Sequence, residues 1–151
     1  MQPGRASASL LPSGVQVQRH GPLTPTEVME LRAAAAWGVD TAEVWQECLD
    51  SALCTVTARD PQGALVGMGQ VVGNARHAQL VDIVVHPQFR RRGVGTAIVQ
   101  ELLAYVNESG TPYVSLAWDK SMGEWLHQMY RSMGFVDIDF AMWLARSLKS
   151  G

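Results

Sequence analysis

Between Ala78 and Val106 the chain passes from a nearly unbroken apolar run, through a short basic loop holding Gly93 and Gly95, into an amphipathic stretch. This unit constrains the fold more than any other. The run Ala78 to Val85 carries one charge, Asp82, and a continuous apolar run of that kind marks a strand buried on both faces. Val94, Ala97, Ile98, Leu102, Tyr105 and Val106 then recur at helical spacing, which predicts a helix with one apolar face. Pro112 to Trp118 reads as the next strand, parallel to the first because a helix joins them as a crossover.

The loop itself reads His86-Pro87-Gln88-Phe89-Arg90-Arg91-Arg92-Gly93-Val94-Gly95-Thr96. Where a strand feeds a helix, the first backbone N–H groups of the helix lack intrahelical acceptors and attract an anion, aided by the helix dipole. Gly93 and Gly95 let a phosphate come close to the backbone, and Arg90, Arg91 and Arg92 add charge-assisted hydrogen bonds. The pattern lacks the Gly-Lys-Ser/Thr of a P-loop and the third glycine of the dinucleotide fingerprint. It predicts a seat for a diphosphate-sized anion. The competing reading is a solvated arginine cluster with glycines kept for helix–strand packing.

The rest of the chain supplies the other layers. Val15 to Arg19 reads as a short strand. Thr24-Pro25-Thr26-Glu27 is a helix start with a capping box and Pro at the first helical position, predicting a helix to about Trp37 that Gly38 ends. A second helix is expected from Asp40, with Val44, Trp45, Cys48 and Leu49 on one face. Leu53 to Arg59 and Ala64 to Gly73 form a hairpin about Asp60-Pro61-Gln62-Gly63. Met122, Trp125, Leu126, Met129, Tyr130 and Met133 fall at helical spacing. Gly134 closes that helix, and Phe135 to Leu144 reads as a last strand. The expected class is α/β (α+β) around one mixed sheet. Residues 15–146 form one domain, between a loose N-terminal tail (1–14) and a short C-terminal tail (147–151).

Composition narrows the function. The chain has 151 residues, 47% of them hydrophobic and 17% charged, with a formal net charge of -2. A packed core is expected, and nothing favours nucleic acid or an acidic membrane as partner. No apolar run approaches the length of a bilayer span, and the N-terminus does not read as a secretory signal. Cys48 and Cys54 are read as reduced thiols of a cytoplasmic protein. The four histidines are scattered without clustered carboxylates or cysteines, so no metal site is expected.

Two motifs then resemble those of a known family. Arg90-x-x-Gly93-x-Gly95 after Val85-His86-Pro87 is similar to the acetyl-CoA signature of the GNAT superfamily of N-acetyltransferases, and Tyr130-x-x-x-Gly134-Phe135 resembles its second hallmark. The resemblance implies a mostly antiparallel mixed sheet in which Leu80–Val85 and Pro112–Trp118 are parallel and splay apart, with acetyl-CoA in the wedge as co-substrate. Backbone groups of Ile83, Val84 and Val85 would pair with the pantetheine arm. Amides from Arg91 to Thr96, including Val94, would cradle the pyrophosphate. The oxyanion would be held by main-chain N–H near Val84 and Val85, and Tyr130 would be the acid. Gly123 departs from the family pattern, in which Asn is common seven residues before the Tyr.

For the base, Asp82 and Asp119 are both candidates. A carboxylate inside an apolar strand must face a polar cleft or a cation, and Asp119 follows a strand at the end where ligands of parallel sheets gather. Equally, Asp82 could pair with a core arginine and Asp119 could cap the helix near Ser121. Val81 to Pro87 and Leu116 to Asp119 are similar to the small branch of the family that includes plant and cyanobacterial serotonin N-acetyltransferases. In the family the loop joining the first two helices roofs the acceptor. Trp37, Trp45, Trp118 and Trp125 could then line an acidic pocket for an arylalkylamine, with Trp37 and Trp118 the candidate acceptor contacts. The expected activity is acetyl-CoA-dependent N-acetylation of a small-molecule amine by direct attack, since neither cysteine has a neighbouring histidine. Protein or peptide N-acetylation and a silent acyl-CoA-binding module are the alternatives. Whether the chain forms a homodimer stays open.

Overall fold

A computed structural model describes residues 8–138. They fall into two units, one ending at Leu116 and one beginning at Ala117. The first unit is built on a six-stranded sheet of β1 (Ala8–Leu10), β2 (Gln16–Arg19), β3 (Cys54–Arg59), β4 (Leu65–Gly73), β5 (His77–Val85) and β6 (Tyr113–Leu116), in sequential order across the sheet. All neighbours are antiparallel except β5 and β6, which pair in parallel. The helices of this unit are α1 (Pro25–Ala34), α2 (Ala42–Ser51) and α3 (Val94–Ser109). The mixed sheet and the crossover helix are those expected.

Alternation along β4 divides the core into two layers, because successive side chains of a strand point to opposite faces. Met68 packs in a cluster with Val28, Leu31, Trp45 and Val84, on the α1 and α2 side. Its neighbours Gly67 and Gly69 face α3: a Cβ on Gly69 would stand 2.9 Å from Ile98 and from Leu102, and one on Gly67 2.8 Å from Ile98. Two absent side chains thus let α3 lie close against the sheet. Its buried residues Val94, Ala97, Ile98, Leu102 and Val106 belong to the apolar face predicted, with Val99 added and Tyr105 only half-buried. Arg19 of β2 is buried against the same helix, pairing with Glu108 at 2.6 Å and Glu101 at 3.4 Å.

Several expectations need correction. Part of the predicted N-terminal tail, Ala8–Leu10, is a strand paired with β2; its apolar content is too small to announce it. Helix α1 does carry the Thr24 capping box, but it ends at Ala34, before Trp37. Ala36 takes the left-handed turn (φ 59°) that Gly38 was expected to supply, and Trp37 N–H closes on the Arg32 carbonyl at 2.9 Å. Helix α2 is capped by Thr41 rather than Asp40, and Val44 on the predicted apolar face is exposed. Strand β5 is not buried on both faces: Ala78, Leu80 and Val84 are buried, the residues between them are half-buried, and His77 is exposed.

The second unit holds a turn of 3-10 helix, Lys120–Met122, followed by α4 (Glu124–Ser132). Gly123 separates the two, so the helix expected to begin near Ser121 is interrupted. Residues 135–138 are not in a strand. The remainder of the predicted last strand and the C-terminal tail lie outside the described residues, as do residues 1–7. Among the described residues no helix is long and apolar enough to cross a membrane.

Candidate active site

The parallel pairing of β5 with β6 covers only His77–Leu80 against Tyr113–Leu116. Strand β5 runs on to Val85 while β6 stops, so Val81–Val85 have no ladder partner from β6. At this point β5 is also kinked. Met68 pairs with Val84 and Gln70 with Val81, leaving Gly69 opposite both Asp82 and Ile83. This is a β-bulge, with Asp82 in a left-handed conformation (φ 53°). His86 N–H donates to the Val66 carbonyl at 2.8 Å, so alternation turns Val84 N–H toward β4 and Val85 N–H toward the open edge. The sequence could not separate these two amides; the bulge and the register do.

After Val85 comes a 3-10 turn, Pro87–Phe89, and then the arginine loop into α3. Gly93 is the N-cap, with φ 81° and no side chain to satisfy the first-turn amides. A Cβ there would meet nothing within 4 Å among the described residues, so the residue's conformation, not crowding, is what calls for glycine. The N–H groups of the first turn precede the intrahelical ladder, which Ala97 N–H opens by donating to the Gly93 carbonyl at 3.0 Å. Arg90 is partly committed to the loop, its Nε–H donating to the Val85 carbonyl at 3.3 Å. Arg92 lies 5.5 Å from the Phe89 ring centroid, and Arg91 takes a left-handed turn. A glycine-capped helix start beside a cationic loop suits a diphosphate, and the open edge of β5 suits an extended, amide-bearing arm.

The two acidic candidates have different surroundings. Asp82 accepts from Arg32 Nη1–H at 3.1 Å, so its partner is an arginine, half-buried rather than in the core. Burial pushes its carboxyl above the ordinary value, the Arg32 charge and hydrogen bond oppose this, and Asp40 adds to the rise. Asp119 is exposed and caps the 3-10 turn, accepting from Ser121 N–H at 2.8 Å. That backbone hydrogen bond holds its carboxyl below the ordinary range. Tyr130 is buried, and burial raises its phenol above 10. Its motif has a structural meaning of its own. Phe135 N–H donates to the Tyr130 carbonyl at 3.2 Å and Gly134 N–H to the Arg131 carbonyl at 3.0 Å, with Gly134 at φ 100°. This is a Schellman cap, and the Tyr130 and Phe135 rings meet edge-on at 6.0 Å.

Neither aromatic candidate stands open. Trp37 faces the Arg32 guanidinium at 5.2 Å. Trp118 stacks on His127 at 4.5 Å with the planes 8° apart. The histidines read as scattered, without a carboxylate cluster, yet His127 lies 3.0 Å from Glu124 and 2.8 Å from Asp137. The Glu124-x-x-His127 spacing carried that signal; Asp137 follows the helix and did not. The two acids, Glu124 first, raise the His127 pKa above 6.5. Arg32 was also missed, since an arginine in the last turn of a helix is unremarked in any sequence. Both thiols are free, and burial pushes Cys54 up to about 12.

The acetyltransferase (GNAT) family model matches residues 25–135. No curated protein sequence matches the chain significantly. Among solved structures, SA2161, a protein of unknown function from meticillin-resistant Staphylococcus aureus, is 29% identical with a TM-score of 0.74, over 86% of this chain and 98% of that one. SP0256 of Streptococcus pneumoniae, a GNAT family acetyltransferase, is 27% identical with a TM-score of 0.72, over 87% and 98%. The ribosomal-protein-S18-alanine N-acetyltransferase of Escherichia coli shares the fold at 17% identity and a TM-score of 0.69, over 82% and 79%.

Proposed function

Since this chain belongs to the GNAT family of acetyltransferases, we propose that it moves an acetyl group from acetyl-CoA to the primary amine of a small molecule, by direct attack. The observation that carries the reading is the pair of features at one end of β5: an edge left without a β6 partner beyond Leu80 and a glycine-capped α3 next to three arginines. The coenzyme's diphosphate would take the amides from Arg91 to Thr96, and its pantetheine arm the edge groups of Ile83 to Val85. Acetyl-CoA supplies the activated acyl group.

The chain's own residues then divide the proton work. The acceptor's ammonium gives its proton to Asp82, the more basic of the two candidate carboxylates. The free amine attacks the thioester carbon, and the oxygen that gains charge accepts a hydrogen bond from main-chain N–H, for which Val85 is the edge-facing donor. The carbon–sulfur bond breaks, the departing thiolate takes the Tyr130 proton, and the second proton shed by the new amide nitrogen passes through solvent to restore the phenol, while Asp82 releases its own to bulk water. Asp119, held acidic by its own turn, suits attraction of a cation better than removal of its proton. An acyl-cysteine route has little support from a Cys54 thiol pushed up to about 12. The reduced thiols fit the cytoplasm.

The resemblance to serotonin-type relatives favours an arylalkylamine acceptor; the S18-alanine enzyme, similar in fold, makes a protein N-terminus the second reading. Thiol release from acetyl-CoA should be followed with tryptamine, spermidine, kanamycin and an alanine-ended peptide. Turnover with tryptamine supports the first reading and turnover with the peptide alone the second. Coenzyme binding without release from any amine would make the protein a silent acyl-CoA-binding module.

A further inference from the structure

Arg32 has no part in the proton transfers above, yet four groups converge on its guanidinium. The group lies 5.2 Å from the Trp37 ring centroid and 5.0 Å from that of Trp45. Its Nε–H donates to the Gly38 carbonyl at 2.5 Å and its Nη1–H to Asp82 Oδ1 at 3.1 Å. The side chain is 13% exposed. Trp45 in turn donates its indole N–H to the Val39 carbonyl at 2.5 Å. The segment tied down in this way, Ala35 to Thr41, includes two non-glycine residues in the left-handed region, Ala36 and Asp40. Residues rarely adopt that conformation unless their surroundings impose it.

The tryptophans and carboxylate expected to receive a cationic acceptor are therefore engaged by a cation of the protein itself. A guanidinium within about 5 Å of two indole rings is held by cation–π attraction, and its planar fork reaches the Gly38 carbonyl and Asp82 at once. We propose that Arg32 is a positioning residue for acetyl transfer: clasped by Trp37 and Trp45, it holds the Asp82 carboxylate beside the open stretch of β5 and fastens the segment between α1 and α2 to it. The inference rests on the reading of Asp82 as proton acceptor. The charged and titratable groups facing Asp82 are Arg32 from α1, Asp40 from the connecting segment and Cys48 from α2. Arg32 is the only cation among these. An acceptor amine must then approach Asp82 by its exposed side, away from the indoles.

The test needs no acceptor. Carboxyl-13C NMR follows the titration of Asp82, assigned by its loss in Asp82→Asn, in the parent protein and in Arg32→Gln and Arg32→Lys. Loss of the guanidinium should raise the Asp82 midpoint by about one to three pH units, and lysine should return part of that shift. Amide exchange at Trp37 to Asp40 should quicken in Arg32→Gln. An unmoved midpoint in folded Arg32→Gln overturns the proposal. If Arg32→Gln does not fold, Trp37→Leu, which removes one wall of the clasp, should raise the midpoint less but in the same direction; no movement there overturns it as well. Full turnover of Asp82→Asn across the amine panel would remove the base reading and, with it, this role for Arg32. A turnover loss in Asp82→Asn beside an unmoved Arg32→Gln midpoint would remove Arg32 alone.

Discussion

Asp82 and Tyr130 sit at opposite ends of a proton inventory, and their surroundings set the expected pH behaviour. Burial lifts Asp82 above its ordinary 3.8, despite Arg32, and lifts Tyr130 above 10.0. A base must be ionised and an acid protonated, so kcat/KM should climb as pH rises through the elevated Asp82 value. It should hold a plateau across neutrality and fall only above pH 10; a pH-rate profile with the best amine of the panel checks this. Tyr130→Phe should cut kcat by about 10²-fold or more with the coenzyme Kd unchanged in calorimetry; an unchanged kcat would take Tyr130 out of the mechanism. Asp82 was legible in the sequence because a lone charge in an apolar strand must have a reason. Arg32 was not, because its partners are 5, 6, 13 and 50 residues away and meet only when α1, α2 and β5 pack.

At the scale of elements, both family motifs prove to be solutions to helix-end problems. The Tyr130-x-x-x-Gly134-Phe135 pattern closes α4 through a left-handed Gly134, and Gly134→Ala should cost about 1 kcal/mol in chemical denaturation. Gly93 opens α3 in the same left-handed region, where a Cβ would meet nothing within 4 Å among the described residues. Gly93→Val should therefore weaken coenzyme binding in calorimetry by tenfold or more, through strain and loss of access rather than through packing. On α4, His127 between Glu124 and Asp137 should titrate above 6.5 by NMR, and Asp137→Asn should lower its midpoint. The sign follows from linkage: the protonated pair steadies this unit at low pH, and the benefit fades as pH rises through the raised value. Strand periodicity and caps were readable in advance for most elements. Helix ends were less so, since Ala36 performs a turn that sequence reasoning reserves for glycine, and β1 is too short to carry a pattern.

For the whole molecule, the order of elements was recoverable because each local signal agreed with the global sheet. The place where β5 parts from β6 was not, because register and bulge arise only from pairing with β4. The sheet also transmits geometry across its thickness. Gly67 and Gly69 act as spacers of zero height: Ile98 and Leu102 rest on them, and Val94 itself would lie 3.2 Å from a Cβ on Gly67. An added methyl at Gly69 should cost about 1–3 kcal/mol of stability in urea denaturation. At Gly67 the same methyl would act as a shim under the opening turn of α3, tilting the very amides that Gly93 leaves uncovered. Grip on a diphosphate would then be tuned from beneath, by a residue that the ligand never meets.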